Sequence, residues 1–371
     1  MRINQDRIIQ EFCELTSIDS LSYREKDMKD VLAAKLTALG FSVEEDDAGE
    51  RIGGNCGNLY CYLAGELPGP PLMFSGHMDT VAPGIGKRAI LQPDGRITSD
   101  GTTILGADNV ACLVEILEGI RFLKENKLPH RSIELVLCVA EELHLLGSAV
   151  FDCSRLQAKE CYILDISGRV GRAAVQAPSV IAFSIEARGK AAHAGFNPEE
   201  GVNAIAAMAR LIAETPQGRL EGLGTFNIGA ISGGRETNII SEYCLARGEV
   251  RSFDHEQAVA AVDALKARAK RISAETGAEL VIEAVVRAKS YRIDTAEPVV
   301  QRFIRACREL GLSGEVETTF GGSDNNVFVD RGLRGIVLSC GMYQVHSTEE
   351  YTRAEDLADG AGLVAALLQC D

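Results

Sequence analysis

A chain of 371 residues is too long for one hydrophobic core, and two domains are expected. Hydrophobic residues make up 46% and charged residues 25%, the composition of a soluble globular protein, and no run of about 18 apolar residues is present to span a membrane. A net charge of −15 excludes nucleic acid and anionic membranes as natural partners and suits an enzyme whose carboxylates are held together by local cations.

The opening stretch MRINQDRIIQEFCEL spaces Ile8, Ile9, Phe12 and Leu15 like an amphipathic helix and lacks the apolar core of a signal peptide. The eleven cysteines are odd in number, scattered and without a C-x-x-C pair. Several, Cys112, Cys138 and Cys161 among them, lie inside apolar segments. They read as buried free thiols of a reducing compartment, so the expected location is the cytoplasm.

Helices are expected over 4–17 and 23–39, the second stopped by Gly40, then strands over 57–63 and 71–76. LQPDGRIT reads as a hairpin around Asp94-Gly95. Residues 108–126 form a long amphipathic helix, and SIELVLCVA (132–140) and CYILDI (161–166) have the continuous apolar character of strands buried on both faces. Such alternation predicts an α/β fold with helices on both faces of a mixed, largely parallel sheet. Near residue 176 the pattern changes to strand, helix (about 200–214), strands near 225–231 and 242–251, helix (254–275) and strand (279–287). That is the order of a small α+β, ferredoxin-like unit. The first domain then resumes with a helix at 296–310, a short strand, FGGSDNNVF, the strand GIVLS and a closing helix near 354–369. The domains are therefore read as 1–175 and 289–371, with 176–288 inserted between them.

Polar residues stand at the ends of the buried strands. SGHMDTV places His77 and Asp79 after the strand at 71–76. Alternation would turn both to one side, where the carboxylate can accept the second ring proton and leave the first nitrogen as a ligand. TTILGADNVA adds Asp108, the pair Glu141-Glu142 follows the strand at 132–140, Asp165 ends the strand at 161–166, and MYQVHSTEEY supplies His346. Ligands of open α/β sheets bind beyond the carboxyl ends of the strands. Two histidines and several carboxylates delivered there suit a pair of zinc or manganese ions, with one carboxylate shared between them. Of two adjacent glutamates only one can comfortably ligate the same metal pair, leaving its neighbour to handle protons. GGNCGN and FGGSDNN lack the G-x-G-x-x-G spacing of a nucleotide loop.

The stretches SGHMDTV, SDGTTILGADN, AEELHLLGS, AHAG and GGSDNN resemble the peptidase T-like branch of the co-catalytic zinc metallopeptidase superfamily, which includes aminoacylase, carboxypeptidase G and succinyl-diaminopimelate desuccinylase. The likeness covers nearly the whole chain, inserted domain included. It implies two divalent ions per chain, zinc foremost, with manganese or cobalt as alternatives. His77 and Asp165 would bind one ion, Glu142 and His346 the other, with Asp108 bridging. Asp79 would orient His77, and Glu141 would be the general base, taking a proton from water shared by the metals. The inserted domain would be a lid and homodimerisation domain whose His193 steadies the oxyanion in the partner's site. An edge strand within 225–251 or 179–188 would pair with its twin. Asn238 and Arg251 would hold substrate, Arg251 by pairing with a substrate carboxylate. The expected activity is that of an aminopeptidase or tripeptidase on small peptides. An N-acyl-amino-acid deacylase or dipeptidase is the alternative on this scaffold, and a non-catalytic binding protein would be expected to have lost Glu141 or a ligand. Two positions depart from the branch: Asn109 stands where a second aspartate is frequent, and His144 where a glycine is usual.

Overall fold

Every residue of the strands Leu72–His77 and Ile133–Cys138 is buried, so both faces of the sheet they form are covered. The computed structural model describes residues 3–222 and 224–370. These two strands run parallel to each other and to Glu160–Ile166 and Arg334–Ser339, in the order 133–138, 72–77, 160–166, 334–339. Antiparallel strands flank the parallel centre: Leu59–Leu63 and then Ser42–Glu45 on one side, Arg172–Ala177 on the other.

Alternation along the strands sorts the core into two layers. Met73, Cys161, Ile163 and Val337 pack with Phe151 and Phe328. The neighbouring positions Phe74 and Tyr162 face the opposite way with ring centroids 5.5 Å apart, and the Tyr162 hydroxyl donates to the carbonyl of Val299 in the helix Pro298–Leu310. Each buried ring contributes about 1.5–3 kcal/mol of burial free energy. The long helix Ala107–Glu125 is buried over nearly its whole first half, and its packing sets the position of the residues at its start.

The anticipated hairpin forms: Ile90–Leu91 pairs with Arg96–Thr98, and Gly95 takes a left-handed φ of 81° in the turn. Arg96–Thr98 in turn pairs with Tyr351–Arg353, and the Ser99 hydroxyl donates to the Thr348 carbonyl. These links tie the loop before Asp108 to the loop carrying His346. FGGSDNNVF, read only as a motif, begins a short helix, Asp324–Asp330, opened by a capping box between Ser323 and Asn326.

The chain divides into two compact units. One holds the residues up to Gln176, Arg292–Thr319 and the residues from Ser323 on; the other holds Ala177–Tyr291 with Phe320–Gly322. The second unit is an antiparallel sheet in the order Gly218–Leu220, Gly224–Gly233, Tyr243–Ser252, Ser179–Arg188, Glu279–Ala288. Its helices Ala204–Glu214 and His255–Thr276 bury Met208, Leu211, Val262 and Leu265 against Phe183 and Ile185. One expectation needs correction. Ser179–Arg188 pairs on both sides and is not an edge strand, because the following strands return to flank it. The strand Gly224–Gly233 has an outer edge, which the short strand Gly218–Leu220 covers only at 224–226.

Candidate metal centre

His77 is the last residue of its strand and only 2% exposed. Its Nδ1 lies 2.9 Å from the main-chain oxygen of Asp79 and 3.4 Å from that residue's carboxylate, so the carbonyl is the nearer acceptor. This fixes Nδ1 as the donor and turns Nε2 towards Asp108, at 3.1 Å. The Asp79 carboxylate has other partners. It accepts the main-chain N–H groups of Glu141 at 3.0 Å and Glu142 at 3.2 Å, and the Ser22 hydroxyl at 2.7 Å.

Asp108 joins two imidazoles. One of its oxygens faces His77 Nε2, and the other lies 3.3 Å from His346 Nε2. His346 Nε2 is also 2.9 Å from Glu142, while Asp165 is 3.8 Å from His77 Nε2. Donor atoms of His77, Glu141 and Asp165 lie within 4.8 Å of one another, as do those of His77, Asp108 and Glu142. Donors about 2.0–2.2 Å from a common ion have separations of this order, and the imidazole–carboxylate set suits borderline-to-hard divalent cations. Glu141 thus stands on the His77–Asp165 side of Asp108 and Glu142 on the His346 side.

Crowded negative charge shapes the electrostatics. Burial raises Glu141 well above the usual carboxylate range, and Asp165 and Asp324 raise it further; burial and Asp108 do the same to Asp165. Asp108 is held below that range because the two imidazoles outweigh its burial. Hydrogen bonds to Asp108 and Glu142 push His346 up to about 10. Burial opposes charge on His77, yet Asp108 and Asp79 hold it well above the usual imidazole range.

The surrounding backbone is held from several directions. Glu350 is buried and accepts the N–H groups of Gly106, at 2.6 Å, and Asp108, at 2.9 Å. The turn after the Glu141-Glu142 pair is left-handed at His144 and Leu145, with φ of 70° and 63°. A left-handed conformation explains why glycine is usual at position 144; a side chain there costs roughly 1–2 kcal/mol. Asp324, whose motif carried no assigned role, is buried and accepts the Ser148 hydroxyl, with the negative charge of Asp79 nearby. No local signal in GGSDNN marks it out, since only the fold brings it under the centre.

The remaining candidates lie in the second unit. His193 pairs with Ile239 in an isolated bridge, and the Ala194 N–H donates to the Asn238 carbonyl at 2.9 Å, so His193 and Asn238 are neighbours. The His193 Nδ1 accepts the N–H groups of Gly195 and Phe196 at 3.1 and 3.2 Å. In the neutral ring the proton is therefore on Nε2, which makes that atom a donor. Arg251 is engaged within its own unit, with Glu249 at 2.7 Å and with the Phe320 carbonyl at 2.7 Å.

Comparison with known proteins identifies the family. Residues 177–277 match the peptidase dimerisation domain, and residues 58–199 match peptidase family M28. The chain is 36% identical over 367 residues to the uncharacterized protein YqjE of Bacillus subtilis, covering 99% of each. It is 39% identical to the aminopeptidase PepT of Bacillus cereus, whose crystal structure superposes with a TM-score of 0.91 over 99% of this chain and 98% of that one. The chain belongs to the peptidase T-like branch of the co-catalytic metallopeptidases. A tripeptidase structure from Staphylococcus aureus, 34% identical, gives a TM-score of 0.95 over 99% of this chain and 98% of that one. This peptidase T-like chain is a metal-dependent peptide hydrolase. Among its described residues no helix is long and apolar enough to cross a membrane.

Proposed function

We propose that the protein is a two-metal aminopeptidase that releases the first residue of tripeptides. The observation that carries this reading is the Asp108 carboxylate, which turns one oxygen to each imidazole with the buried Glu141 alongside. His77 and Asp165 would hold one divalent ion, His346 and Glu142 the other, and Asp108 both. Such ions, zinc foremost, supply positive charge for the oxyanion of the attacked carbonyl and acidify water. Glu141 would take a proton from the attacking water and pass it to the departing amine. Its burial among Asp165 and Asp324 favours the protonated form it must adopt midway.

The protein would work as a homodimer. The outer edge of Gly224–Gly233 beyond Ile228, whose N–H is taken by the Gln217 side chain, has Ile231 57% exposed and supports pairing with a second copy across a two-fold axis. His193 would then donate from Nε2 to the oxyanion in the partner's site. Asn238 and Arg251 would contact substrate, Arg251 after exchanging Glu249 for a substrate carboxylate. All eleven cysteines are free, which supports a reducing, cytoplasmic setting.

The test is a substrate panel on protein loaded with zinc, manganese or cobalt. Tripeptides with a free amino terminus should be cleaved to an amino acid and a dipeptide. Faster hydrolysis of N-acyl amino acids would replace this reading with the deacylase one.

A further inference from the structure

The strands Leu72–His77 and Glu160–Ile166 pair in register from Leu72↔Glu160 to Ser75↔Ile163 and then part. On its other side, Leu72–His77 continues to pair as far as His77↔Cys138. The side chain of Asn109, 1% exposed, fills the gap where the strands separate. Its Oδ1 accepts the His77 N–H at 3.2 Å, and its Nδ2 donates to the Leu164 carbonyl at 2.8 Å and to the Asp165 carboxylate at 3.2 Å. One amide thus takes the place of the next ladder bonds. Gly76 makes room for it: a Cβ there would lie 2.4 Å from Asn109 Oδ1 and 2.4 Å from Cys112 Sγ.

We propose that Asn109 is a positioning residue of the metal centre, a spacer that sets the distance between His77 and Asp165 and so forms their metal site. The proposal rests on the two-metal reading above. An amide meets all three partners at once. Leu164 and Asp165 present only acceptors, so the group between them must donate twice, while the His77 N–H needs an oxygen. An ionised carboxylate at 109 would satisfy His77 and repel the other two.

The experiment compares metal retention in the unmodified protein, N109A, N109D and D165A. Each is saturated with zinc, dialysed against graded chelator and analysed for metal, and the cobalt-substituted forms are read by visible absorption. The unmodified protein should keep two equivalents. N109A and N109D should hold one of them roughly tenfold to a hundredfold more weakly, as expected for a group that orients ligands, and retain the other. The cobalt spectrum should lose the same component that D165A loses. N109D is isosteric, so it reports on the amide even where N109A folds poorly. Retention of both equivalents within about threefold in N109A and N109D, or equal loss of both, would overturn the spacer role. Fewer than two equivalents in the unmodified protein would instead overturn the two-metal reading itself.

Discussion

Asp79 accepts the main-chain N–H of Glu141 at 3.0 Å, which binds the strand end carrying His77 to the turn carrying the two glutamates. The second Asp79 oxygen holds Glu142 in the same way. Asp79 therefore aligns the proposed ligand His77 and the proposed general base Glu141 together, beyond any effect on the His77 ring. Asp79→Ala should leave one buried and one half-buried N–H group without this acceptor and destabilise the protein by about 2–5 kcal/mol. It should also lower kcat by roughly tenfold to a hundredfold, as for loss of a group orienting metal ligands. Thermal melts and steady-state kinetics on the same preparations check both.

Glu141 and Glu142 are adjacent in sequence but face different sides of Asp108. Glu141→Gln should keep both metals and lower turnover by at least ~10²–10⁴-fold, the usual range for loss of a general base. Glu142→Gln should weaken one metal site. Elemental analysis of the two variants decides, and metal loss in the first with retention in the second would show the roles are exchanged.

Removal of metal should destabilise the fold. Asp108, Glu141, Glu142 and Asp165 are crowded together, and ions that bind only the native state stabilise it by mass action. Chelation should lower Tm, and micromolar zinc, manganese or cobalt should restore it in a concentration-dependent way. An unchanged melting curve would count against a metal centre here.

His193→Ala should lower kcat while leaving metal content unaltered, because the residue acts on the transition state. Mixing inactive His193→Ala with inactive Glu141→Gln under subunit exchange should restore activity. Each mixed dimer would carry both lesions in one site and leave the other whole. No recovery despite proven exchange would place His193 within its own subunit's chemistry or outside it altogether.

Glu115 offers a pH test remote from the metal ligands. It is fully buried in the helix Ala107–Glu125, its carboxylate oxygens have no hydrogen-bond partner among the described residues, and its carboxyl lies where a side chain at Gly360 would be. Burial raises it well above the usual range, with Asp356 and Asp359 adding to the shift, and the thiols of Cys112 and Cys340 lie nearby. The folded state therefore binds the proton more tightly than the unfolded state. This contribution is intact below the unfolded pKa of about 4.3 and is lost as pH rises towards the folded value, by up to about 1.4 kcal/mol per pH unit. Glu115→Gln should match the unmodified protein near pH 4 and become progressively more stable than it from pH 5 to 8. Urea titrations across that range check the slope.

The apolar runs 71–76, 132–140 and 161–166 were legible as buried strands because a strand covered on both faces must be apolar at every position. The polar residues at their ends were legible as a site for the same reason: little else in such segments justifies a histidine or a carboxylate. The sequence alone therefore determined the α/β architecture and pointed to the inserted unit and to His77, Asp108, Glu141, Glu142, Asp165 and His346, which the fold brings together. Which strand lies beside which was decided only by the tertiary structure, because hydrogen-bonded pairing depends on partners far apart in the chain. That is how Ser179–Arg188, expected as an edge, became central. It is also why the supporting roles could not be read, even at Asn109, which stood out only as a departure from the family pattern. Asn109, Asp324 and Glu350 are common polar types in loops and helix starts, and each acquires its role from a group dozens to hundreds of residues away: Leu164, Ser148 and Asp108. Their significance lies in being buried next to unsatisfied donors and acceptors, and burial is a property of the packed chain.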